Sequence, residues 1–283
     1  MGQSVKSEMK RLPVSAGILS WRAPQTVAHT LAQYGGRDGF PSRLAEFKIF
    51  FQECSPADRR VAEQAGVDFE ERQENVGIQA GMRWVVETLK SEFVLYLEND
   101  FNLAAPVETA ASELAAALDW IRSGRVDMVR LRSLFNPGVP CTDPKKYSSV
   151  FRPKDIDPRF RLHDQLVTAN PFVRWLRPFK ARRIAARGVY VERAPERLFP
   201  KVFTREPEGL VTTSAYLNWT NNPVLIRREL FLKIADYADA HPSHRTVGGF
   251  QDFEKPLNCH WWRKQKFRIG LPDGIFTHNR LDR

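Results

Sequence analysis

Three residues, Glu98-Asn99-Asp100, stand directly after the apolar run Phe93-Val94-Leu95-Tyr96-Leu97. Two carboxylates one residue apart at the end of a buried strand can face a single cavity. Their hard oxygens suit Mg2+ or Mn2+, which bridge to a substrate's phosphates. The same triplet also satisfies a plain polar turn. Other signatures are absent: there is no G-x-G-x-x-G after a strand, no G-x-x-x-x-G-K-[ST], no G-x-S-x-G and no H-E-x-x-H. Cys54, Cys141 and Cys259 fit no metal spacing and cannot all pair. Reduced thiols in a cytoplasmic compartment are therefore expected.

The elements that must position these acids alternate along the first half. Residues 14–21 read as a buried strand bounded by Pro13 and Pro24. Thr26 caps a helix that runs to Gln33 and stops at Gly35-Gly36. Residues 47–52 form a second strand. Ser55-Pro56-Ala57-Asp58 then supplies a cap, a proline at the first helical position and an acid in the first turn. A short strand at 67–70, a helix over 75–89, strand 93–97, an Ala-rich helix over 107–121 and strand 126–131 follow. Such alternation predicts a mostly parallel sheet with helices on both faces, where ligands bind beyond the carboxyl ends of the strands. From 136 to 208 the pattern dissolves into a Pro- and Arg-rich insertion, a lid or a docking surface. Order returns with a strand at 209–217, helices at 228–238 and 252–264, and a strand at 267–271.

The chain has 283 residues, of which 42% are apolar and 27% charged, enough for one large domain or two small ones. A disordered, fibrous or disulfide-stapled protein is excluded. The 43 Lys and Arg against 33 Asp and Glu leave a charge of +10. That balance suits an acidic ligand: nucleic acid, a nucleotide-sugar phosphate or an anionic membrane. No apolar run approaches the ~18 residues of a spanning helix. Lys10-Arg11 ahead of the short run 14–19 does not make a signal peptide. Residues 171–187 carry Arg174, Arg177, Lys180, Arg182, Arg183 and Arg187 without an acid, interleaved with Phe172, Trp175, Leu176, Phe179 and Ile184. This mixture suits an anionic membrane interface, or a solvated insertion that packs its aromatics on the main domain. No signature of sequence-specific nucleic-acid binding is present.

Taken together, Glu74-Asn75-Val76-Gly77, the helix after it and the strand that delivers Glu98-Asn99-Asp100 resemble the nucleotide-binding half of family-2-like glycosyltransferases of the GT-A fold. The resemblance covers 12–135 and, more weakly, 209–280. It implies one GT-A-type, Rossmann-like α/β domain spanning 1–283: a nucleotide-sugar-binding half (12–135), an insertion or lid (136–208) and an acceptor-side half (209–283). Ser20, Trp21 and Glu53 would then hold base and ribose, Asn75 and Gly77 would approach the nucleotide, and Glu98 and Asn99 would line the donor site. Asp100 would bind the metal. Gln52 stands where an acid is usual, and Arg83 where Asn is frequent. The segment Gly248-Gly249-Phe250-Gln251-Asp252-Phe253-Glu254 is similar to the family's acceptor-side acidic segment. That similarity implies Asp252, then Glu254, as the general base; Asp252 equally fits a helix cap. His278 would join the metal, and Trp219, Asn221 and Asn222 would lie beside the donor or acceptor sugar. The activity implied is Mn2+- or Mg2+-dependent, inverting transfer of a sugar from a UDP- or GDP-linked donor to a glycan, glycolipid or glycoprotein acceptor. Two other readings remain: a nucleotidyltransferase, and a non-catalytic basic module for membrane or polyanion. The expected location is cytoplasmic or peripheral to a membrane.

Overall fold

A computed structural model describes residues 11–151 and 175–281. Its first half follows the alternation closely: β1 (Leu12–Trp21), α1 (Pro24–Gln33), β2 (Leu44–Gln52), α2 (Pro56–Ala65), β3 (Asp68–Glu71), α3 (Gly77–Thr88), β4 (Phe93–Glu98), β5 (Phe101–Leu103), α4 (Val107–Arg122) and β6 (Met128–Arg130). The insertion contributes β7 (Gly138–Val139), α5 (Asp143–Phe151), α6 (Pro178–Ala185) and α7 (Pro195–Leu198). Then come β8 (Thr204–Glu206), β9 (Gly209–Thr213), β10 (Val224–Arg227), α8 (Arg228–Ala240), β11 (Thr246–Val247), β12 (Phe250–Gln251), α9 (Glu254–Leu257), α10 (His260–Gln265), β13 (Arg268–Leu271) and β14 (Phe276–Asn279).

Nine strands form the central sheet in the order β3-β2-β1-β4-β10-β6-β13-β9-β8. The pairs β1/β2, β1/β4, β2/β3 and β6/β13 are parallel, and only β10 and β9 run against the rest. Period-two alternation divides the core between the two faces. Along β4, Val94 and Tyr96 join one apolar cluster, while Phe93, Leu95 and Leu97 join the other. A smaller sheet, β5-β14-β7, crosses the carboxyl end of β4.

Local chemistry explains most boundaries. The Ser55 side chain accepts from the Asp58 amide, and the Asp58 side chain accepts from the Ser55 amide, a complete capping box. Two helical expectations are corrected. Thr26 does not cap α1: the cap position is Ala23, and Thr26 lies buried one turn in, accepting from the Leu281 amide. Residues 252–264 form two short helices rather than one. Pro256 removes one amide from the ladder, and the extended Cys259 restarts the chain as α10. The Asn258 amide group donates to the Trp219 carbonyl, fixing that break. Arg83 makes an exposed ion-pair network with Glu87, Asp236 and Asp239, which ties α3 to α8 and has no part in the site. The three cysteines are unpaired.

Candidate active site

The parallel strands β1, β2 and β4 end along one edge, where a cavity of about 240 Å3 opens. Ser20 and Trp21 reach it from β1, Gln52 from β2, and Glu98, Asn99 and Asp100 from β4. Asn75 and Gly77 reach it from the turn that opens α3. The strand exits are locked to one another. The Asn99 amide donates to Ser20 Oγ at 3.1 Å, and Thr30 Oγ1 donates to the Asn99 carbonyl at 2.7 Å. Gln52 is buried and accepts from the Val76 amide at 2.9 Å, so the residue standing in place of an acid holds the Asn75–Gly77 turn. Asn75 Oδ1 accepts from the Gly77 amide. Gly77 has φ +81°, and a Cβ there would collide with Phe250. Glycine thus lets the β11–β12 hairpin close over that wall of the cavity. Glu53 does not line the cavity. Its carboxylate accepts from Trp21 Nε1 at 2.6 Å and pairs with Arg22, so it orients the tryptophan from behind.

Antiparallel pairing of β14 with β5 places His278 opposite Phe101 and therefore beside Asp100. The His278 ring packs edge-on against Phe101, and its Nδ1 donates to the Val139 carbonyl. That bond turns Nε2 toward Asp100 Oδ2, 3.1 Å away. Gly138, at φ +69°, permits the close approach of β7 to the His278 backbone. Asp100 is only 2% exposed, and among the described residues its Oδ1 has no hydrogen-bond partner. Arg280, which also lines the cavity, lies 3.8 Å from Oδ2. Sequence reasoning passed over Arg280, because nothing local marks a lone arginine after a final strand. Glu98 accepts from the Asn221 side chain, yet burial, then Asp100 and Glu254, hold its carboxyl well above the usual carboxylate range.

A second cavity of about 400 Å3 lies beyond the 219–222 loop. The loop forms the partition. The Asn221 amide N–H donates to Glu254 Oε1 at 3.0 Å, and Asn222 Oδ1 accepts from Arg132 at 3.1 Å. Glu254 lines this second cavity, and burial, then Asp252, push its carboxyl up. Asp252 is buried, with Oδ1 accepting from the Glu254 amide at 3.1 Å. Trp219 offers no open ring for a sugar. It is 1% exposed and enclosed by Phe231, Phe253 and Trp262, so the ring supports the loop from below.

No protein-family model matches the sequence, and no curated protein matches it either. Solved structures do match in fold. The mannosyltransferase PcManGT from Pyrobaculum calidifontis, in complex with GDP-Man and Mn2+, superposes over 97% of this chain with TM-score 0.51 at 11% identity. TarS from S. aureus (residues 1–349) superposes over 95% with TM-score 0.51 at 13% identity, and over 96% with TM-score 0.50 in complex with UDP-GlcNAc. The fold is GT-A. The chain spans about three fifths of each of these structures, 59% of the first and 60% of the second. Within the GT-A frame, the smaller cavity occupies the carboxyl edge of the parallel half, and the larger one lies beside the end of β6 and the 216–222 segment.

Proposed function

We propose that this chain transfers a sugar from a UDP- or GDP-linked donor in the smaller cavity to an acceptor hydroxyl on the side of the larger one. The observation that carries the reading is Asp100, whose orphaned buried oxygen stands in the cavity that Ser20, Trp21, Asn75 and Gly77 also line, with His278 Nε2 3.1 Å from its other oxygen. The crystallised complexes of fold neighbours with GDP-Man and Mn2+ and with UDP-GlcNAc support it.

Among the described residues no cluster of three or more His, Cys, Asp or Glu side chains is arranged for a metal. The pair still fits a hard divalent cation, since such ions keep waters and share one or two protein ligands with substrate phosphates. Asp100 and His278 would hold it, and the bond from His278 Nδ1 to Val139 fixes the ring for that task. When bound, the ion neutralises the leaving diphosphate.

Trp21, oriented by Glu53, offers a face for the base, and the Gly77 backbone lies close enough for the ribose or phosphates. Arg280 adds a cation toward the diphosphate. The acceptor oxygen bonds to the anomeric carbon as the bond from that carbon to the diphosphate oxygen breaks, and the hydroxyl proton passes to a carboxylate. In-line attack inverts the anomeric centre. The carboxylate belongs to the Asp252–Glu254 pair. The resemblance ranks Asp252 first; the opening of Glu254 into the larger cavity favours Glu254. The two amide substitutions separate them, because an amide keeps the hydrogen bonds and cannot take the proton. In this reading residues 12–135 supply most of the donor site, which 209–283 completes with Arg280 and His278 while also carrying the acceptor-side Glu254.

A membrane partner has its own support. Trp175 and Phe179 are 78% and 73% exposed, beside the exposed Lys180 and the half-buried Arg182. Part of the basic stretch serves elsewhere: Arg183 and Arg187 face the larger cavity, and Arg187 pairs with Asp143 at 2.9 Å. Phe172 and Arg174 lie outside the described residues. Among the described residues no helix is long and apolar enough to cross a membrane; the contact proposed here is peripheral. Calorimetric titration of UDP and GDP with Mn2+ tests the donor assignment.

A further inference from the structure

The larger cavity has a charge pattern that sugar hydroxyls do not require. Arg130, Arg132, Lys146, Arg183, Arg187 and Lys255 line it, against two acids. Asp143 is engaged by Arg187, and Glu254 accepts from the Asn221 amide N–H. Arg130 and Arg132 are 5% and 8% exposed. Among the described residues neither has a carboxylate within 4 Å. Arg130 donates to the Asn218 carbonyl, and Arg132 donates to the Pro137, Gly138 and Pro140 carbonyls and to Asn222. Lys146 and Arg183 likewise have no acid partner among the described residues. Burying cations without counter-charge is costly, several kcal/mol per ion in proteins generally. Burial depresses the Arg130 pKa, with Tyr190, Asp143 and Glu254 acting against it from beyond ion-pair distance. Such an arrangement is stable in use when an anion completes it, and guanidinium pairs match the oxygens of phosphate or carboxylate in two-pronged geometry.

We infer that the larger cavity binds an oxyanion, a phosphate or carboxylate, carried by the acceptor, so that the acceptor is an acidic molecule whose hydroxyl is presented toward Glu254. The inference rests on the glycosyl-transfer reading for the word acceptor, and the anion site itself does not. The size suits a small acid or the terminal unit of a longer one. The arginines come from two elements far apart in the chain, β6 and α6 with its extension. The anion therefore also ties the insertion to the sheet.

The test uses the full chain with neither donor nor metal, titrated calorimetrically at low salt with glycerol 3-phosphate, glycerate and glycerol. Saturable binding of at least one acid and none of glycerol is expected, and the stronger acid identifies the oxyanion. Lys146→Gln and Arg183→Gln, both at sites open enough to tolerate change, should each weaken binding roughly tenfold. Arg130→Gln should abolish it, with circular dichroism to check folding. Asp100→Ala should leave it unchanged. Absence of saturable acid binding by the wild type overturns the inference while leaving Mn2+-dependent nucleotide binding free to stand. Displacement of the acid by metal-free UDP or GDP would give the cavity to the donor and overturn it equally. Acid binding in a protein that ignores every nucleotide would instead sink the donor reading alone.

Discussion

The two cavities sit on either side of the 219–222 loop and have opposite electrostatics. The smaller presents Glu98 and Asp100 with one arginine; the larger presents six cations with two acids, Asp143 and Glu254. An acidic pocket that takes a diphosphate needs a cation brought from solution. A basic pocket holds its anion directly. The difference teaches that a net charge of +10 is not spread evenly over this molecule: part of it is concentrated where a second anion would sit.

The largest effect that would break this division is on turnover. Asp252→Asn or Glu254→Gln should lower transfer by about 10²–10⁴-fold with donor affinity nearly unchanged. Single-turnover assays with a radiolabelled donor would read it. If both variants keep near-full activity, the pair is not the base; if only one falls, that residue is.

Next comes the hairpin over the donor side. Gly77→Ala introduces a Cβ against Phe250 at φ +81°. A cost of about 1–3 kcal/mol is expected, since a non-glycine residue is strained there. Thermal melting should show the loss, and Mn2+-dependent nucleotide binding should weaken with it. An unchanged melting temperature would mean that the hairpin yields freely.

A smaller effect concerns pH. Burial first, and Asp252 next, raise the Glu254 carboxyl, against lowering by Arg130, Lys255 and the Asn221 amide; Glu98 faces it across the loop. The folded state therefore holds this proton more tightly than the unfolded chain. Its contribution to stability is full below the unfolded value of about 4.3 and is lost as pH rises through the folded value. Glu254→Gln removes that loss, so its melting temperature relative to wild type should improve between pH 4 and pH 8. A relative decline over that range would contradict the direction.

The smallest expected effect is at the outer surface. Vesicles with acidic lipid should bind the protein at low salt and release it as salt rises, with Trp175→Ser/Phe179→Ser weakening the contact. A protein that ignores such vesicles at low salt has a purely soluble role for α6.

Much of this was legible in the sequence where chemistry is local. The Ser55 cap and the acid Asp58 in the first turn appeared as read and close into a capping box, β1 and β2 ended at Trp21 and Gln52 as expected, and β4 ran one residue further, to Glu98. Features built by distant pairing were harder. His278 meets Asp100 only because β14 adds to β5, which no spacing rule reveals; the family resemblance suggested the partner, and the pairing supplies the reason. Trp219 read as a sugar platform because exposure of an aromatic cannot be judged without its neighbours Phe231, Phe253 and Trp262. The basic cavity had a readable signal that went unused. Arg130 and Arg132 are two residues apart at the end of an apolar strand, which puts both on one face of a sheet. Two arginines at such places are seldom buried without a purpose.

The central claim is that Asp100 anchors a metal-bridged nucleotide. Calorimetric titration of UDP and GDP in Mn2+, on wild type, Asp100→Ala and Arg183→Gln, tests it most directly. The account predicts binding of at least one nucleotide by wild type, lost on chelation, weakened more than ~100-fold in Asp100→Ala and preserved in Arg183→Gln. Mn2+-dependent binding that survives intact in Asp100→Ala would contradict it.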